Sequence, residues 1–382
     1  MIKTAARLAI GLGAIACGVP EPPPAEGTAS GLGESISSSI SSSGTRGPGS
    51  SLGSGSGSAE GDGSSNGSAT GSLDDTAGTT GEPLLGPPYP IVLAHGFFGF
   101  DELADLDQVP YWYDVPQYLE AHGHTVCVTE VDPFNDSTDR GMQLLEQVIE
   151  CAAATGHAQV NIIGHSQGGL DARVVAHTAP QWVASVTTVA TPHQGTPIAD
   201  IAVGLVDVPG AAELVDWLTQ TLGSPIWDEV GNETSLAEAM IQMSHDPTRG
   251  IDVFNRTYPD APGVLYTSVT GRTGLHSGAD DCEPDSPPPP LLITAWESTL
   301  DTTDALLLVP EAILSDGIFV QDPNDGLVRA IDAHWGEFLG CVPADHIDQV
   351  GHLLGDSPGI GNDWDHLTFY ADLVTYVRDR GL

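Results

Sequence analysis

The stretch Val160-Asn161-Ile162-Ile163-Gly164-His165-Ser166-Gln167-Gly168-Gly169 decides how this chain reads. An apolar run leads into Gly-x-Ser-x-Gly, and helical spacing follows at Leu170, Val174 and Val175. A strand, a sharp turn and a helix in that order lift a serine hydroxyl above a sheet edge. Gly164 and Gly168 flank the turn and let strand and helix approach closely. Ser166 is therefore the candidate nucleophile; the plainer alternative is a serine that only makes the turn.

Working outward, Tyr89-Pro90-Ile91-Val92-Leu93-Ala94 reads as a buried strand ahead of His95-Gly96. A second strand is expected over 124–131, and a helix over 138–154 from the spacing of Met142, Leu145, Val148 and Ile149. Further strands are expected over 183–189, 263–270 and 317–320. Apolar residues at Leu367, Tyr370, Leu373, Val374 and Val377 suit an amphipathic helix over 365–378. Strands that alternate with helices predict an α/β fold, with a mostly parallel central sheet and helices on both faces.

Composition divides the chain. Residues 27–82 are largely Gly, Ser, Thr, Ala and acidic residues, too poor in apolar groups to offset the entropy of ordering. The expected organisation is a signal segment over 1–17, a linker over 18–83 and one catalytic domain over 84–382. The 52 acidic and 11 basic residues give a formal net charge of −41, and Lys3 is the only lysine. That balance disfavours nucleic acid, which needs clustered Lys and Arg, and disfavours docking on anionic lipid heads.

Lys3 and Arg7 precede a short apolar run, Leu8 to Ala16, too short to anchor as a bilayer span. It ends in Ala14-Ile15-Ala16-Cys17-Gly18, which resembles a bacterial lipoprotein processing site, with Ala14 where leucine is usual. Cys17 would then carry a lipid anchor; cleavage and plain secretion is the alternative, and both are extracytoplasmic. The other cysteines, Cys127, Cys151, Cys282 and Cys341, allow three pairings, and an oxidising location favours disulfides over metal thiolates.

Acyl transfer needs an activated nucleophile, a base, an orienting acid and donors for the oxyanion. In the α/β-hydrolase order the acid follows the serine and the histidine comes last. His346 lies late, in a polar loop, with His334, His352 and His366 as rivals. Asp325, in Asn324-Asp325-Gly326, sits just after an apolar run, where a turn residue and a triad acid are equally good readings. The N–H groups of Phe97 and Gln167 are the candidate oxyanion donors, and Phe97, Phe98 and Phe100 make an apolar mouth or ordinary core.

Taken together, these pieces resemble the foldase-dependent bacterial true lipases, triacylglycerol hydrolases of family I. The matching runs are 89–96, Gly99-Phe100-Asp101, 128–131, 160–169, Thr191-Pro192-His193-Gln194-Gly195, 324–328 and His346-Ile347-Asp348, in the family's order. The resemblance implies an α/β-hydrolase fold, Ser166 as nucleophile, Asp325 as acid, His346 as base, and oxyanion donors at Phe97 and Gln167. It implies structural Ca²⁺ near the histidine, held by Asp301 and Asp348 with backbone carbonyls of His352 and Asp356; Asp304 rivals Asp301. It places a lid at about 197–245, where Ala211, Leu214, Val215, Leu218 and Leu222 share a helical face. It makes Cys282 and Cys341 the counterparts of the family's disulfide, and Cys127 with Cys151 could form a second. The linker and lipobox depart from the family, which leaves a membrane foldase open as a partner. The expected function is a serine carboxylester hydrolase, foremost a lipase. The alternatives are a short-chain esterase or polyester depolymerase on the same fold, or a non-catalytic surface lipoprotein.

Overall fold

A computed structural model describes residues 83–97, 110–206, 233–274, 280–292, 296, 299–315, 322–351 and 358–382. The signal segment with Cys17, the linker to residue 82, Phe98, Phe100, lid residues 207–232, the strand expected over 317–320, His352 and Asp356 lie outside these.

Six strands form one parallel sheet: β1 (Ile91–Ala94), β2 (Val126–Thr129), β3 (Val160–His165), β4 (Val183–Val189), β5 (Leu265–Gly271) and β6 (Glu337–Val342). Their order across the sheet is β2-β1-β3-β4-β5-β6. Eight α-helices accompany them among the described residues: α1 (Val115–Ala121), α2 (Ser137–Thr155), α3 (Gln167–Thr178), α4 (Pro197–Ala202), α5 (Glu233–Met243), α6 (Ile251–Thr257), α7 (Leu308–Leu314) and α8 (His366–Arg378). This is the expected α/β-hydrolase architecture.

Alternate residues of a strand face opposite sides, and here both sides are covered. Ile91, Leu93 and Ile163 pack with Trp112, Leu119, Tyr370, Leu373 and Val374 on the α1/α8 face. Val92, Ala94 and Ile162 pack with Leu144, Val148, Ala172 and Val175 on the α2/α3 face. The period-two alternation is therefore hidden: β1 reads as an unbroken apolar run, and β3 is wholly buried despite Asn161.

Element ends follow local chemistry. The Asp136 carboxylate caps α2, accepting from the amides of Thr138 (2.7 Å) and Asp139 (3.3 Å), and Gly156 closes the helix in the left-handed region at φ 71°. β2 is shorter than expected because the next amides leave the ladder: Glu130 N–H donates to Gln147 Oε1 and Asp132 N–H to Gln143 Oε1. β5 starts later than expected because Gly263 occupies the preceding turn at φ 90°. Two disulfides, Cys127–Cys151 and Cys282–Cys341, tie the edge strand β2 to α2 and the loop before residue 283 to β6.

The sheet order sets the site. β1 is followed in the chain by β2 on one side and then by β3 on the other, so the connections diverge at β1 and β3 and leave a crevice at their carboxyl ends. His95-Gly96 follows β1 and Ser166 follows β3, so both open on that crevice.

Candidate active site

Ser166 sits between β3 and α3 at φ 54° and ψ −130°, a backbone conformation that side-chain-bearing residues rarely adopt. Such a residue stores on the order of 1–3 kcal/mol of strain and persists where its surroundings over-determine it. Two contacts do so: Ser166 N–H donates to the Val189 carbonyl (2.8 Å), and the Thr191 hydroxyl donates to the Ser166 carbonyl (2.7 Å). The flanking glycines are required by close approach. A Cβ at Gly164 would lie 2.5 Å from the Gly168 carbonyl oxygen, and one at Gly168 would lie 2.3 Å from the Ala94 oxygen.

The turn after β1 is fixed from beneath. Val131 N–H donates to His95 Nε2 (3.0 Å), so the ring's hydrogen is on Nδ1, which donates to the Gly96 carbonyl (2.9 Å). Burial, with the nearby Arg140 charge, holds the His95 pKa down to about 3, so the ring stays neutral. Arg140, on α2, is wholly buried. Its Nη2 donates to the carbonyls of His95 (2.7 Å) and Gly96 (3.3 Å), its Nη1 to that of Asp132 (2.7 Å), and its Nε to Asp171 Oδ2 (2.8 Å). Burial pushes the Asp171 carboxyl up to about 6 even against that guanidinium.

On the other side of the crevice, His346 Nδ1–H donates to Asp325 Oδ2 at 2.8 Å, with both side chains buried. Asp325 Oδ1 accepts the amides of Leu327 (3.0 Å) and Val328 (2.8 Å), and Gln349 Nε2 donates to Oδ2 (3.2 Å). Asp325 shapes its turn with one oxygen and accepts from His346 with the other. The His346 ring lies against that of His165, the residue before Ser166, with centroids 4.7 Å apart. With Nδ1 committed to the carboxylate, Nε2 is the nitrogen that can take a proton. Of the rival histidines, His334 stacks on Phe338 and meets the Asp281 carbonyl, and His366 meets the Tyr113 carbonyl.

The alpha/beta hydrolase fold family matches residues 89–238. A triacylglycerol lipase of Vibrio cholerae is 33% identical over 294 residues, covering 76% of this chain and 86% of the relative. The chain belongs to the bacterial triacylglycerol lipases of the α/β-hydrolase superfamily. It is 32% identical to the triacylglycerol lipases of Burkholderia plantarii (70% of this chain, 80% of the relative) and Pseudomonas fragi (77% and 97%). The protein is accordingly a carboxylic ester hydrolase, and its substrate is an ester or lipid.

Beside His346 the lipase carries a cluster of three buried carboxylates, Asp301, Asp345 and Asp348, whose nearest oxygens lie within 4.8 Å of one another. Asp301 and Asp348 are the two acids expected from the resemblance, and Asp345 is an addition. Asp304 stands beside the cluster, and its N–H donates to Asp345 Oδ2 (2.9 Å). Burial pushes Asp301 up to about 7 and Asp345 up to about 6. The Thr273 hydroxyl and the Thr302 amide lie beside Asp301, but by hydrogen-bond geometry neither of its buried oxygens is satisfied among the described residues. Three buried, mutually repelling carboxylates, with the Asp301 oxygens unsatisfied, are a donor set that a hard divalent cation fits.

Two functional groups escaped the sequence. Arg140 is one polar residue of a helix whose visible stripe is apolar, and only its distant partners reveal it. Asp345 is one acid among many, and its adjacency to His346 was the available signal. The segment expected to form a lid helix lies outside the described residues; α4 and α5, on either side of it, are described. There His245, just past α5, pairs with Asp200 of α4 at 2.7 Å.

Proposed function

We propose that this protein is a membrane-tethered, extracytoplasmic triacylglycerol lipase that works through a Ser166–His346–Asp325 triad and an acyl-enzyme. The observation that carries this reading is the buried 2.8 Å hydrogen bond from His346 to Asp325, with the imidazole packed on the residue before Ser166. His346 Nε2 takes the Ser166 proton as the oxygen attacks the ester carbonyl, and Asp325 stabilises the resulting imidazolium. The amides of Phe97 and Gln167 receive the oxyanion, each donor worth ~2.7–4 kcal/mol of barrier. His346 then protonates the leaving alcohol, and water, activated by the same ring, releases the acid.

A p-nitrophenyl ester series from acetate to palmitate, with emulsified triacylglycerol alongside, tests the substrate class. The expected result is sustained turnover of long-chain esters and of the emulsion. Confinement to short soluble esters would instead mark an esterase or polyester depolymerase.

Asp301, Asp345 and Asp348 would hold structural Ca²⁺, with the carbonyls of His352 and Asp356 completing its shell. Bound there, the ion would neutralise the cluster and stiffen the loop that carries His346. Dialysis against chelator should lower the thermal midpoint, and Ca²⁺ should restore it. A site filled at one hundred times Kd stabilises by about 2.7 kcal/mol. An unchanged midpoint would remove the ion from the account. The N-terminal domain order, signal to residue 17, linker to 83 and catalytic domain beyond, makes Cys17 the anchor point. A linker of roughly 65 residues reaches roughly 45 Å as a coil. Mass spectrometry of the mature N-terminus should find a diacylated Cys17; an unmodified terminus elsewhere contradicts the tether.

A further inference from the structure

Tyr111 lies just ahead of α1, far in sequence from both halves of the crevice, and its phenol oxygen meets both. Gly96 N–H donates to it at 2.9 Å, and it stands 2.6 Å from His165 Nδ1. The packing leaves nothing between these groups: a Cβ at Gly96 would lie 2.5 Å from the Ser166 Cβ and 2.8 Å from the Tyr111 hydroxyl. Trp112 packs edge-on against Tyr111 and is itself buried against Tyr370.

We propose that Tyr111 is a positioning residue for ester hydrolysis. Its hydroxyl sets the oxyanion turn and holds His165 as the neutral ring against which His346 packs. The proposal rests on the reading of Ser166 as nucleophile and of the turn after β1 as oxyanion donor. A phenol has one hydrogen to give and two lone pairs to offer. Gly96 N–H uses one lone pair, and in this proposal the phenol hydrogen is given to His165 Nδ1, which puts the His165 proton on Nε2. Burial raises the Tyr111 pKa, which keeps that hydrogen in place. The Gly96 amide is thereby committed to Tyr111, and the turn presents the next amide, Phe97, to the substrate. A His165 ring held in this neutral tautomer, 4.7 Å from His346, sets no like charge against an imidazolium at His346. Arg140 grips the carbonyls of this turn and Tyr111 grips its amide.

The test is Tyr111→Phe, which keeps the ring and deletes the hydroxyl. On p-nitrophenyl butyrate, kcat should fall by about 10-fold or more, a fraction of the ~10²–10³ lost with a whole oxyanion donor. KM should stay within about twofold, because the ground-state ester makes little use of the aligned amide. The Ki of an alkyl boronic acid, which mimics the tetrahedral adduct, should rise in parallel with the loss in kcat/KM. A kcat within twofold of wild type, or a loss carried by KM alone, would overturn the proposal. Wild-type protein gives a second readout that does not depend on the variant folding. ¹⁵N spectra of labelled histidine should show His165 Nδ1 as an unprotonated hydrogen-bond acceptor, and a protonated Nδ1 would overturn the assignment. Fluorophosphonate labelling of wild-type Ser166 separates the two failures: an unlabelled Ser166 defeats the proposed function itself, whereas a labelled Ser166 with an unaffected Phe variant defeats only the role of Tyr111.

Discussion

Ser166→Ala should lower kcat on a soluble p-nitrophenyl ester by about 10⁴-fold or more, with the thermal midpoint within a degree or two of wild type. Members of a triad act as a unit, so loss of the nucleophile removes nearly all that the triad contributes, and only binding and the oxyanion site remain. The fold should persist because the elbow is held by backbone contacts, Ser166 N–H to Val189 and the Thr191 hydroxyl to the Ser166 carbonyl. Asp325→Asn should cost about 10⁴-fold through a different route. A carboxamide can present N–H to His346 Nδ1, which draws the ring hydrogen onto Nε2 and leaves no base toward Ser166. Wild-type kcat in either variant contradicts the proposed chemistry.

Arg140→Met should be the most destabilising single substitution near the crevice. It strips hydrogen bonds from the carbonyls of His95, Gly96 and Asp132 and strands the Asp171 carboxylate, buried, without its cation. Breaking one half of a buried pair costs about 3–5 kcal/mol, whereas replacing both halves by apolar groups of similar volume is often far milder. The double variant Arg140→Met with Asp171→Leu should therefore recover part of the loss, read from urea midpoints at constant slope. The pH dependence has a definite sign. The folded-state pKa of Asp171 is raised above its unfolded value, so the folded state holds its proton more tightly. Its contribution is most favourable below the unfolded pKa and is lost as pH rises through about 6. Without Arg140 that loss deepens, so Arg140→Met should be closer to wild type at pH 5 than at pH 8. A single-variant cost below about 1 kcal/mol would show that the pair does not hold the turn. Activity should fall in the same variant, since the carbonyls it releases belong to the turn that presents Phe97.

Much of this was readable in the chain because it depends on local pattern. β1 is an apolar run of strand length, β3 and β4 are rich in Val, Ile and Thr, and α2 and α8 have apolar spacing with Asp136 and Asp365 at their caps. The elbow was legible because its glycines answer to close approach, a constraint that few other residues satisfy. His346 and Asp325 were legible only as an order along the chain; their pairing needed the β5–β6 side of the sheet brought against β3. β6 was missed because it opens on Glu337 and carries Gly340 in the left-handed region at φ 101°, so no run of β-branched residues marks it. α1 was missed because seven residues with Pro116 in the first turn leave too short a period to see. Arg140, Tyr111 and Asp345 were invisible for a shared reason. Each is polar, ordinary in its local context, and draws much of its meaning from distant partners, as Arg140 does from Asp171, Tyr111 from His165 and Asp345 from Asp301. The acid-rich composition hid Asp345 further, since 52 acidic residues give a buried carboxylate no contrast in sequence.

The most direct test is to react the wild-type protein with a fluorophosphonate until ester turnover stops, then locate the adduct by peptide mass mapping. The account predicts one phosphonate per chain, on Ser166, with inactivation in step with labelling. Complete inactivation with the adduct on another residue, or full turnover with Ser166 quantitatively modified, would contradict it.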